Sequence, residues 1–182
     1  MARQRLWRGA IVLTLLTGLS GCSGSPTAPD TIASDAAPGP VASATPAPSP
    51  QAQSDASAVI ELTNNERRNA GVAPLRISAA LMTAAQLHAN QMAALQRMEH
   101  TLSDGPYPTP ADRLTAAGYA WRSYAENIAF NYQTPAAVIS GWMGSSGHRA
   151  NILNGSLTEI GAAVTRDVQG RPYWVQVFGA PR

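Results

Sequence analysis

Lysine is absent from this 182-residue chain, cysteine occurs once and histidine three times. A lone cysteine excludes a disulfide within one molecule and the clustered thiolates of structural zinc sites. The missing lysine, beside abundant alanine and thirteen arginines, reads as genome composition and carries no functional signal. Basic runs are missing too. Arg3, Arg5 and Arg8 crowd the N-terminus, and without them ten arginines face eleven acids. That balance disfavours a nucleic-acid partner. HExxH, CxxC, a phosphate loop and a nucleophile elbow are all absent. The apolar run "GAIVLTLLTGL", Gly9 to Leu19, is too short for an ordinary transmembrane helix.

That run fits another role. Preceded by the positive "MARQRLWR", it has the length and flanks of a signal peptide, residues 1–21. "LSGC", Leu19 to Cys22, resembles the lipobox of bacterial lipoproteins, in which the cysteine is acylated and becomes the first residue after cleavage. The resemblance implies lipidation at Cys22, a membrane partner held at about 0.8 kcal/mol per buried methylene, and an exported, envelope-anchored protein. Ser23 would permit sorting to the outer membrane of a Gram-negative cell. Residues 22–56 are then the lipidated cysteine and a tether rich in proline, alanine and serine, without apolar periodicity. Its reach would be roughly 30 Å as coil and about 100 Å as polyproline helix.

Residues 57–182 have the size and patterning of one domain. A first helix is expected from near Ser57 to Gly71. Ser78 caps a second that runs to about Met98, with Leu81, Ala85, His88, Met92 and Leu95 forming one buried stripe. "TPADRLTAAG" and "TPAAVISGWMGS" each place threonine at a cap and proline at the first helical position. "HRANILNG" reads as one or two further turns. The period then changes. "EIGAAVTRD" and "RPYWVQVFGA" read as strands joined by a hairpin turn, and "SYAENIAF" as a third strand. Helices first and paired strands last predict an α+β fold, a small antiparallel sheet covered by helices. Trp121, Trp142 and Trp174 are expected as core anchors.

Glu126 stands in an otherwise uncharged run. If buried, its carboxylate must be paired or hydrogen-bonded. The three histidines and scattered arginines are its candidate partners. His100 lies in a Gly/Pro/Ser/Asp-rich loop, where sites often sit. His148 opens a short helix, whose field favours neutral imidazole. His88 lies on an apolar helix stripe and reads as a satisfied core residue. Ser145 and Ser146 beside His148 read as loop filler rather than as nucleophiles.

The ordered set "EHT … AENIA … GWMxSSGHRANIL … TEIGAA … YWVQVFG" resembles the CAP superfamily, which includes cysteine-rich secretory proteins and bacterial SCP-like extracellular proteins. The resemblance covers nearly all of residues 57–182. It implies a three-layer α-β-α sandwich and a cleft bearing a His-Glu-Glu-His tetrad. His100 matches the first histidine, Glu126 the first glutamate and His148 the last histidine. The second glutamate falls on Ser145, with Glu159 as a conceivable substitute. A cleft of His100, Glu126, His148, Ser145 and Glu159 is thereby implied, with His148 paired through Glu126. His100 and His148 are implied as ligands for zinc or another divalent metal. The expected function is a non-catalytic, monomeric binding module for a divalent metal, lipid or peptide-like ligand. A metal-assisted hydrolase using the same cleft, or a structural or host-interaction module, is the alternative.

Overall fold

The computed structural model describes residues 47–182. The expected signal peptide, Cys22 and the expected tether as far as residue 46 lie outside the described residues. Five helices and four strands follow one another: α1 (Pro50–Asn69), β1 (Arg76–Ile77), α2 (Ala79–Leu95), α3 (Pro110–Ala116), β2 (Trp121–Phe130), α4 (Pro135–Gly144), α5 (Ser146–Ile152), β3 (Glu159–Arg166) and β4 (Pro172–Pro181).

The helix starts follow the caps. The Ser78, Thr109 and Thr134 side chains each accept a backbone N–H of the first turn. Helix α1 begins seven residues before Ser57. Ser49 caps it and Pro50 is its first residue, the same cap-plus-proline signal, here inside a stretch whose composition reads as tether. Helix α2 ends three residues short of Met98, where Gln96 takes a left-handed conformation at φ 52°. The stripe on α2 is buried at Leu81, Ala85, His88 and Met92, while Leu95 is only partly covered.

The sheet order is β1-β3-β4-β2. Strands β2 and β3 both pair antiparallel with β4. The two-residue β1 pairs parallel with β3, so the sheet is mixed rather than antiparallel. Alternation along the strands feeds two cores. Ile160, Ala162, Val164, Trp174 and Phe178 pack on one face with α1 and α4. Ala163, Tyr173, Val175, Val177 and Ile128 pack on the other with α2 and α3. The result is a three-layer α-β-α sandwich. Trp142 and Trp174 are fully buried anchors; Trp121 is half-buried and meets Tyr124 edge-on. Gly161 sets the α2 spacing, because a Cβ there would lie 2.1 Å from the Leu81 carbonyl carbon.

Arg67, at the end of α1, is 1% exposed. Its guanidinium donates to the carbonyls of Ala73, Ile152, Asn154 and Leu157 at 2.7–3.2 Å. Ile152 is the last residue of α5, so this buried fork ties the C-terminal end of α5 to α1.

Candidate functional site

Strand β2 is an edge strand, and successive residues on it face opposite layers. Glu126 faces the α2–α3 layer opposite Val177. Its side chain is 4% exposed, so the carboxylate needs partners, and it has them. His100 Nδ1 lies 2.8 Å from Oε1. Arg113 Nη2 donates to Oε1 at 3.2 Å and to Oε2 at 3.1 Å. Arg113 comes from α3, where a capping box between Thr109 and Asp112 fixes the turn before it. The same guanidinium donates to the carbonyls of His100, Tyr107 and Pro108, so it also holds the loop that carries His100.

Burial alone would raise the Glu126 carboxyl. The His100 hydrogen bond, with the positive potential of His88, Arg113 and His100, outweighs burial and holds it below the usual carboxylate value. An ionised carboxylate only accepts. His100 must therefore donate from Nδ1; when the ring is neutral, that leaves Nε2 as an acceptor on a side chain that is 50% exposed.

His88 reaches the same carboxylate from beneath. Its Nε2 is 3.7 Å from Glu126 Oε1, too far for a hydrogen bond. The ring is fully buried and neither nitrogen has a partner, although the Glu99 backbone lies beside it. The expected core location is met, but the expected satisfaction is not. Burial lowers its pKa from 6.5 to about 4; attraction to Glu126 opposes this, and Arg113 and His100 add to it.

His148 arrives from the other side of the sheet edge on α5. Its ring is half-buried and makes no hydrogen bond to Glu126, contrary to the expected pairing. The contact it does make is through its backbone, whose carbonyl accepts from Asn127 Nδ2 at 3.1 Å. Burial lowers the His148 pKa, and the charge of His100 lowers it further, so the two imidazoles lie within electrostatic reach of each other. Two cavities, about 310 and 300 Å³, lie elsewhere, and neither is lined by His100, Glu126 or His148.

The sequence model of the cysteine-rich secretory protein (CAP) family matches residues 60–178. This chain belongs to that family. The CAP region is 36% identical over 120 residues to the Bacillus subtilis protein YkwD, covering 66% of this chain and 45% of YkwD. It is 32% identical over 120 residues to the B. subtilis membrane protein YlbC, covering 66% of this chain and 33% of YlbC. The CAP chain thus spans less than half the length of these relatives. An extracellular SCP-domain protein from Bacillus anthracis shares the fold at a TM-score of 0.65 and 24% identity, over 74% of this chain and 45% of that one. An outer surface protein from Borrelia burgdorferi shares it at 0.65 and 19%, over 71% and 95%.

Ser145, at the expected second-glutamate position, and Glu159, its proposed substitute, stand apart from the cleft chemistry. Ser145 links α4 to α5 and its side chain makes no capping hydrogen bond. Glu159 is on the same sheet face as Glu126 but two strands away. It accepts from Arg76 and from the Tyr119 hydroxyl, each at 2.8 Å, and does not replace a second glutamate. The donors also fail to fit a divalent metal. Protein zinc sites take three or four ligands. Here the Glu126 oxygens are taken by His100 and by a guanidinium whose charge repels a cation. Among the described residues no three His, Cys, Asp or Glu side chains converge on a metal position. His100 and His148 alone remain as nitrogen donors.

Sequence reasoning missed Arg113 and the site role of His88 and Asn127. Arg113 stands in "PADR", which reads as the polar face of a helix. His88 could have been found from its stripe, since an imidazole among alanines and leucines needs a polar neighbour.

Proposed function

We propose that the protein is an exported, envelope-anchored CAP binding module that takes a peptide-like or lipid ligand in the cleft between His100 and His148. One observation carries this reading: Glu126, paired with Arg113, accepts from His100 Nδ1, so that the neutral ring keeps Nε2 as an acceptor on a half-exposed side chain. A ligand N–H or O–H would bind there, with the His148 ring within electrostatic reach. Export and anchoring rest on the "LSGC" sequence at Cys22. The surface and extracellular descriptions of the B. burgdorferi and B. anthracis proteins agree with it. Among the described residues no helix is long and apolar enough to cross a membrane.

A hydrolase is the second reading, favoured by the same Glu–His pair, which orients an imidazole as a general base does. Ser145 is bonded to neither histidine, so a water, and not this hydroxyl, would be the nucleophile. The test is calorimetric titration with peptidoglycan fragments, phospholipid micelles and Zn²⁺, on the protein and on His100→Ala and His148→Ala. The proposal expects saturable one-to-one binding of an organic probe, weakened tenfold or more by either substitution. No organic probe binding, or binding indifferent to both substitutions, would overturn it. Zn²⁺ binding lost in His148→Ala would restore the metal reading.

A further inference from the structure

The two imidazoles of the cleft come from opposite layers, so something must set one against the other. Helix α5 has seven residues and no side-chain cap at its start, and it cannot place His148 by itself. Asn127 is the next residue after Glu126 on β2, so it faces the opposite layer. Its side chain is fully buried. Its Nδ2 donates to the His148 carbonyl at 3.1 Å and to Gln176 Oε1 at 3.1 Å. Its Oδ1 accepts from Asn151 Nδ2 at 2.9 Å, and the same Asn151 nitrogen reaches the Glu126 carbonyl at 3.4 Å. Residues 148 and 151 lie one turn apart, so Asn127 grips α5 at two points on one face.

The direction of every bond is fixed. A backbone carbonyl can only accept, so Asn127 must present its nitrogen to His148 and hence also to Gln176. Gln176 must then present its oxygen to Asn127 and its nitrogen to Thr63. Gln176 Nε2 does donate to Thr63 Oγ1 at 2.6 Å, and the Thr63 hydroxyl donates to the Val59 carbonyl at 2.7 Å. Gln176 and Thr63 are fully buried, so no water competes for these groups. The chain runs from the α1 backbone, through the sheet, to the α5 backbone with no free orientation.

We infer that Asn127 is a positioning residue that places His148 relative to His100, so that adjacent residues of one edge strand hold the two sides of the cleft. Glu126 orients His100 in one layer and Asn127 anchors the backbone of His148 in the other. The inference rests on the cleft reading above, but its test needs no ligand. An aspartate at 127 has the same shape and cannot donate when ionised. It would turn a carboxylate oxygen toward both the His148 carbonyl and Gln176 Oε1.

The experiment follows the His148 ring by NMR across pH in the protein, in Asn127→Asp and in Asn151→Ala, each with and without His100→Ala. Asn151 is only half-buried, so its variant keeps the measurement possible if Asn127→Asp does not fold. With Asn127 intact, His100→Ala raises the His148 midpoint, because the His100 charge lowers it. The inference expects that response to fall by half or more in Asn127→Asp, and to fall measurably in Asn151→Ala. An undiminished response in every folded variant would overturn it, even if melting temperatures drop. Failure of the ligand titrations alone would leave this result standing and remove only the binding reading.

Discussion

At the scale of the residue, the site is one buried anion served by one guanidinium and two imidazoles, and His88 is its least comfortable member. Its folded pKa lies near 4 against an ordinary 6.5. The unfolded chain therefore binds a proton that the fold refuses. Stability is complete above pH 6.5 and declines as pH falls toward 4, by on the order of 3 kcal/mol at the low end. His88→Leu removes that titration. Melting curves from pH 7.5 to 5 are expected to fall for the wild type and to stay flatter for the variant. Parallel curves would show that His88 finds a partner. His148, also lowered, slopes both curves alike and cancels. Glu126 was legible in the sequence because a lone carboxylate in "SYAENIAF" must be paired. Its main cation was not, because an arginine on a short helix carries no mark of whether it points inward.

At the scale of the element, two anchors hold the pieces that carry the site. Arg113 binds the loop after α2, and Arg67 binds the end of α5. Arg67→Met leaves the carbonyls of Ala73, Ile152, Asn154 and Leu157 without their donor. Each buried acceptor so orphaned costs about 1–3 kcal/mol, so the loss should be roughly 3 kcal/mol or more. Thermal denaturation should register it as a fall of roughly 10 °C. A change within a degree or two would mean that these carbonyls reach water or other donors. Helix starts were read well at Ser78, Thr109 and Thr134, whereas α5 begins at Ser146, two residues before His148. The start of α1 was missed because Ser49-Pro50 sits in a Pro/Ala-rich stretch and composition masked the cap. Strand β1 was missed because two exposed residues, Arg76 and Ile77, have no periodicity to read. Its parallel pairing made the sheet mixed.

At the scale of the whole molecule, α2 packs on β3 and β4, and side chains from α2 and α3 and the backbone of α5 meet β2 at Glu126 and Asn127. Alternation on β2 sends Glu126 to one layer and Asn127 to the other. The layers were legible as helices first and strands last. Where His148 sits was not, because that depends on a side-chain bond from a strand residue 21 positions away in sequence. The family resemblance named the cleft residues but carried a metal expectation that the Arg113–Glu126 pair does not fit.

The central claim is that Glu126 accepts a proton-bearing Nδ1 from His100 and leaves Nε2 free to meet a ligand. The most direct measurement is ¹⁵N NMR of the His100 ring at pH 8.5 in the ligand-free protein. The account predicts the Nδ1–H tautomer, with a protonated-type shift at Nδ1 and a bare-nitrogen shift at Nε2. A ring protonated at Nε2, with Nδ1 bare, would contradict it, because Glu126 could then not be accepting from His100 at all.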